Sequence, residues 1–225
     1  MVDVKLEGNG NGLGGIVGWA NGNLEIINCV NLNTLLNSNC ATGGIIGMGE
    51  DMTGGIYNSY NAGEIHVKGP SSSGIVGSTN SNIEIINVYN KGDITENGNF
   101  GRGGILGSNY TVVGSGNVYI TNAYNLGNVI ENNLNWSYAA GAICGYPSDT
   151  STLTIENSYY KKGTCSVAVG LRKDSLYGVS SLNEINYEEM IKNFKEFIDD
   201  NKSKTSEWKY WILGEDGYPT LDYNS

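Results

Sequence analysis

The groups in this chain that could do chemistry are paired carboxylates, one histidine, a column of phenols and four thiols. Glu25 and Glu84 each stand three residues before an asparagine, and Glu156 stands one before its own, beside the isoleucines of related segments. Clustered carboxylates on one face, often with a basic residue, are what polysaccharide cleavage needs. Glu25 and Glu84 are two repeats apart, about 10 Å if the repeats stack as strands. The plainer reading is an outward, solvated row, because acids are mostly exposed. Glu64 and Asp93 share another phase directly after a glycine, and Asn128 takes that place in the next repeat. They could bind a cation weakly, but the nine-residue Gly-Gly-x-Gly-x-Asp calcium repeat is absent. His66, the only histidine, follows an inward Ile65 and should point outward, with no Cys or Asp nearby to complete a metal or catalytic set.

Among 15 tyrosines, Tyr60, Tyr89, Tyr124 and Tyr159 fall in one column two residues after the asparagine. They are expected to stack, and such a stack closes a corner of the structure, the reading we prefer for a solenoid. Left exposed, the same rings would be a platform for sugar or peptide. Cys29, Cys40, Cys144 and Cys165 show no metal spacing and no Cys-x-x-Cys. Three of them occupy repeat positions held elsewhere by Ser, Val, Ile or Leu, which reads as small core residues, with disulfide pairing the less favoured alternative. No catalytic, cofactor-binding or metal-binding residue is assigned on this basis, no cofactor is expected, and the chain is not expected to be an enzyme.

Thirteen Lys and Arg stand against 23 Asp and Glu, a net charge of −10. Such a surface repels phosphate backbones and anionic lipid, which excludes nucleic acid as a partner. No apolar run is long enough for a membrane span, so no membrane insertion is expected. Met1 is followed by Val-Asp-Val-Lys with no apolar leader core, and the start falls abruptly beside the first repeat. The chain reads either as cytosolic or as a piece of a longer secreted protein, and the abrupt start favours the second. With 39% hydrophobic residues a core can form despite 33 glycines, so neither disorder nor collagen fits.

Two motifs share one period and must position these groups. Gly-Gly-Ile-x-Gly, with variants, places its Ile at 16, 45, 75, 105 and 143, steps of 29, 30, 30 and 38. A second motif, Ile-x-Asn-x-Tyr-Asn-x-Gly, places its first Asn at 28, 58, 87, 122 and 157, steps of 30, 29, 35 and 35. Two residues before that Asn lies an Ile every time (26, 56, 85, 120, 155), and four before it lie Leu24, Gly54, Ile83, Val118 and Leu153. Apolar residues at every second position mark strands with one buried face. Leu35, Ile65, Ile94 and Val129 start a further inward run, and the glycine motif supplies a third strand. Three short strands in about 30 residues make one coil of a parallel β-helix, stacked about 4.8 Å from the next. The expected fold is all-β, a right-handed parallel β-helix of about five coils over residues 1–170. Its first Asn is expected to form an amide ladder between coils. Gly63, Gly92 and Gly127, with Asn33 in the first repeat, are expected to take positive φ at a corner. Insertions at 108–117 and 131–139 should become loops on one side.

Residues 171–225 read as a small α+β cap. Asn186-Tyr187-Glu188-Glu189 can cap a helix whose stripe is Met190, Ile191, Phe194, Phe197 and Ile198. An aromatic strand, Trp208 to Leu213, then turns at Gly214–Gly217 into Tyr218-Pro219-Thr220-Leu221. This segment is expected to cover the last coil, whose open edge would otherwise invite aggregation.

The four good Gly-Ile-x-Gly copies, the Asn-x-Tyr-Asn-x-Gly segments and the closing Trp…Gly-Tyr-Pro-x-Leu resemble the GLUG-motif repeat proteins over nearly the whole chain. The resemblance implies a bacterial cell-surface or secreted protein of the adhesin kind, or a region associated with immunoglobulin A1 proteases, and it brings no catalytic residue. It implies a non-catalytic structural or adhesive module, with a host glycan or protein, or other parts of a larger surface protein, as partners. The rival readings are a carbohydrate-binding or carbohydrate-active β-helix protein, or a substrate-positioning module of a surface protease.

Overall fold

A computed structural model describes every residue except 1–3, 9, 33, 96–99, 112, 132–138, 172–176, 182–185, 203–207 and 225. The repeated columns become neighbours across strands: Ile26, Ile56, Ile85, Ile120 and Ile155 pair in register, each parallel to the next. All five are buried. The result is a mostly β, solenoid-like fold with three parallel sheets among the described residues. One contains Val4–Gly8, Thr34–Ser38, Ile65–Val67 and Ile94–Thr95, and a second contains the glycine-motif strands from Gly12–Gly14 to Ala140–Gly141. The third has 11 strands, because Ile46–Asn61 runs unbroken from the glycine motif through the asparagine motif and draws the two sets together. Ile45, Ile75, Ile105 and Ile143 of the glycine motif are fully buried in the single core these sheets enclose.

The asparagines carry the corner. Asn28, Asn58, Asn87, Asn122 and Asn157 have φ of 56°, 47°, 61°, 50° and 42°, the left-handed region that Asn tolerates better than other residues with a side chain. This corrects the expectation for Gly63, Gly92 and Gly127, none of which has positive φ. Glycine is needed there for another reason. A Cβ on Gly92 would overlap the Gly63 carbonyl of the coil below, and one on Gly127 the Gly92 carbonyl. Asn33 lies outside the described residues.

A left-handed residue also changes which side chains face inward. Ile85 is buried, the chain turns at Asn87, and then Val88 and Asn90 are both fully buried. The second asparagine of the motif therefore forms the interior amide ladder: Asn31 donates to Asn61 (2.7 Å), Asn61 to Asn90 (2.8 Å) and Asn90 to Asn125 (2.8 Å). Each of the last three amides also donates to the carbonyl two residues on, of Gly63, Gly92 and Gly127. Asn61 and Asn90 accept the Gly63 and Gly92 N–H in return. A buried primary amide with its donors and acceptors used stabilises by about 1 kcal/mol per bond and costs more when any partner is lost.

That ladder, together with the carbonyl of the next coil at Gly15, Gly44 and Gly104, explains the second glycine of Gly-Gly-Ile-x-Gly. A Cβ on Gly15, Gly44, Gly74 or Gly104 would run into Asn31, Asn61, Asn90 or Asn125 respectively. In the fifth coil the ladder position is Tyr160, in register with Asn125, and the glycine is Ala142. The two motifs are one steric unit.

Four further features differ from the expected layout. In the first coil Leu36, not Leu35, is the inward residue in register with Ile65. Val4–Gly8 pairs with Thr34–Ser38 and so precedes the first full coil. Val129, Ala142 and Ile143 donate backbone hydrogen bonds to Thr164, Val167 and Ala168, and stacking continues past Gly170, where Val179–Ser181 pairs with Ser158–Tyr160. In the 108–117 insertion, Tyr110–Thr111 and Gly114–Ser115 form an antiparallel pair. The 131–139 insertion lies outside the described residues at 132–138.

The helix α1 (Tyr187–Asn201) forms as its signals require, with the Asn186 side chain accepting the Glu189 N–H and Met190, Phe194 and Ile198 buried. Trp211–Leu213 pairs antiparallel with Pro219–Leu221. Helix and hairpin lie along the flank of the solenoid and not over its last coil. Asn122 and Asn157 donate to the Phe194 and Asn193 carbonyls of α1. Asn87 donates to the Lys209 carbonyl at 2.7 Å and accepts from the Trp211 indole N–H, and Asn58 accepts the Lys209 N–H at 3.0 Å. The flank is where amides turned outward at the corner offer hydrogen bonds, and where the tyrosine column offers apolar surface for the helix stripe.

Candidate functional site

On the outward face of the large sheet, beside α1, one register column reads Glu25, Gly55, Glu84, Tyr119 and Thr154. The neighbouring column reads Ile27, Tyr57, Ile86, Thr121 and Glu156. Gly55 lacks a side chain between the two glutamates, and Tyr57 lies back over it; a Cβ at 55 would stand 2.8 Å from the Tyr57 hydroxyl. That hydroxyl donates to Glu84 Oε2 at 3.0 Å. One coil further, Tyr119 donates diagonally to Glu156 Oε2 at 2.9 Å. Burial pushes the Tyr57 phenol far above its usual value, and the Glu84 and Glu25 charges push it further. Burial and the hydrogen bond to Glu156 raise Tyr119 as well. Neither phenol ionises near neutral pH, so both serve as fixed donors to carboxylates.

Across from these columns stand Phe197 of α1 and Trp208, their rings stacked at 5.4 Å with 17° between planes. The result is a groove of about 290 Å³ whose lining includes Glu25, Glu84, Tyr57, Tyr119, Phe197 and Trp208. Chemically it offers carboxylate oxygens and aromatic faces, and no basic side chain lines it among the described residues.

The structure thus brings Glu25 and Glu84 to one groove, while Glu156 stands one column over, tied to Tyr119; all three are exposed. The Asp93 carboxylate is engaged by Asn128 of the next coil: it accepts the Asn128 N–H at 2.8 Å and the Asn128 side-chain amide at 3.0 and 3.2 Å. Glu64 pairs with His66 at 3.1 Å, the histidine lying on the outward side of its strand. No grouping of three or more potential metal ligands occurs among the described residues.

The tyrosine column is neither a continuous stack nor an open platform. Only Tyr60 and Tyr89 lie face to face, at 4.3 Å and 9°. Tyr89 meets Trp211 and Tyr159 meets Phe194 at tilted or edge geometries, and Tyr89, Tyr124 and Tyr159 are buried under the helix and hairpin. All four cysteines are free thiols. Cys144 is core, its thiol raised by burial; Cys165 is pushed up to about 12 by burial and by its hydrogen bond to Glu131.

Comparison with known proteins finds no matching family model, no matching curated protein and no matching solved structure. No helix among the described residues is long and apolar enough to cross a membrane.

Sequence reasoning passed over Tyr57, Tyr119 and Trp208. Tyr57 and Tyr119 do stand in the two columns that hold the glutamates, and the coil alignment could have paired them diagonally. Trp208 had no such signal, because nothing in its spacing says that it folds back onto the second and third coils.

Proposed function

We propose that the chain is a non-catalytic structural or adhesive module of a bacterial cell-surface or secreted protein, a right-handed parallel β-helix of the GLUG-motif repeat kind. The observation that supports this reading is the interior amide ladder, in which the second asparagine of four successive coils is used in holding coil to coil and in closing its own corner. A repeat built this way gives length and rigidity, and each coil depends on its neighbours for burial. Right-handedness follows from the strong preference of parallel crossover connections. The extracellular setting rests on the resemblance of both motifs and of the Trp…Gly-Tyr-Pro-x-Leu ending. A glycan and host-protein array probed with the chain at several concentrations tests the reading. A specific ligand makes it an adhesive module, binding to nothing makes it a spacer, and turnover of any polysaccharide sinks the proposal.

A further inference from the structure

We infer that the groove between Glu25, Glu84 and Trp208 takes the arginine side chains of a basic peptide partner, a reading that rests on the adhesive role proposed above. Three independent features meet there. The groove is concave and walled on one side by the stacked Phe197 and Trp208 rings. Its two exposed carboxylates have no cation among the described residues, whereas Lys91 pairs with Asp216, Lys192 with Glu196, and Lys195 and Lys202 with Asp199. The phenol protons of Tyr57 and Tyr119 are already committed to Glu84 and Glu156, so the groove has acceptors and ring faces to offer and few free donors.

A planar guanidinium matches that set, because it stacks on aromatic faces, donates in a fork to carboxylates and is weakly hydrated. The net charge of −10 adds long-range attraction for a basic partner. A neutral sugar would find acceptors and rings but no charge complement, and an acidic glycan would be repelled.

The test titrates a tri-arginine peptide, a neutral trisaccharide and a tri-glutamate peptide into the full chain, read by tryptophan fluorescence and by amide chemical shifts. Saturable binding of tri-arginine is expected, with shifts at Glu25, Tyr57 and Glu84. It should weaken about tenfold in Glu25→Gln/Glu84→Gln, and severalfold between about 20 and about 300 mM salt. Glu64→Gln, a charge removed elsewhere on the surface, should leave it unchanged. The inference is overturned if tri-arginine does not saturate, if the double variant binds it as tightly, or if the neutral trisaccharide binds in its place. Those failures leave the module reading standing, since only polysaccharide turnover removes that.

Discussion

The amides of Asn31, Asn61, Asn90 and Asn125 close on one another inside the coils, while those of Asn58, Asn87, Asn122 and Asn157 also reach outward to the helix and hairpin. Both columns have the same residue type and the same period, three residues apart. Partial ladders do form in the outer column, Asn87 to Asn58 at 2.7 Å and Asn157 to Asn122 at 2.6 Å. Between Asn87 and Asn122, however, Trp211 and Phe194 supply the partners. One ladder is thus closed within the solenoid and the other is a docking row. Backbone conformation decides which is which, because a left-handed φ at the first asparagine turns its side chain out and lets the second point in.

Interior substitutions should unfold the whole molecule, and flank substitutions should free only the helix and hairpin. The largest effect is expected for Gly74→Ala, which forces a methyl into the Asn90 amide and should cost about 4 kcal/mol in urea unfolding. Adding Asn90→Ala should recover part of that loss, so a double-mutant cycle should give a coupling of about 1 kcal/mol or more. Strict additivity would break the steric pairing of the two motifs.

Next comes Trp211→Ala, which empties a buried site against Tyr89 and Phe194 and should weaken docking of the flank by about 3 kcal/mol. Hydrogen exchange should quicken in α1 while the amides of the core strands stay protected. Uniform loss of protection would show that the flank and the coils fold as one unit. At Asn87 the two demands separate: Ala loses both the amide and the left-handed tolerance, about 2 kcal/mol, whereas Gly keeps the backbone and should lose about 1 kcal/mol less. Equal losses would show that the amide alone matters.

The smallest effect is expected at the Lys91–Asp216 pair, 2.6 Å across the same interface. The Lys91 hydrogen bond holds the Asp216 carboxyl below its ordinary 3.8. The folded value lies below the unfolded one, so the contribution is present above the unfolded value and is lost as pH falls through the folded value. Asp216→Asn should cost under about 1 kcal/mol at neutral pH, because both groups are partly solvated. That difference from wild type should shrink below about pH 4. A difference that grows in acid would reverse the sign assigned here.

Much of the coil was legible because strand alternation and a fixed period are local facts. The Ile26 to Ile155 column and the glycine-motif strands pair in register as the repeats demand. What alternation could not reveal was the change of phase at Asn87, since a left-handed residue breaks the very pattern used to read the strand. The inner ladder was missed and the role of Gly92 misread for that single cause, while the ladder expected of the first asparagine forms in part, Asn87 to Asn58 and Asn157 to Asn122. The flank was illegible for a different reason. The stripe of Met190, Phe194 and Ile198 announces a buried face, but nothing in it distinguishes a solenoid end from a solenoid side. The groove of Glu25 and Glu84 was half legible: the carboxylates share a phase in the sequence, while its aromatic wall comes from residues more than a hundred positions away.

The fifth coil, with Tyr160 and Ala142 where the others have asparagine and glycine, also bears on how such a chain can lengthen. The two partners lie on the same coil, the glycine first and the amide 16 to 21 residues later in the four coils that keep both (15 and 31, 44 and 61, 74 and 90, 104 and 125). Copying a stretch of DNA that spans both hands the new coil a matched pair. A crossover that falls between them, joining the front of the fifth coil to the back of an earlier one, sets a methyl against an amide and yields a coil that cannot seat. The admissible reading frames for duplication are therefore limited by the close contacts at one glycine of the coil.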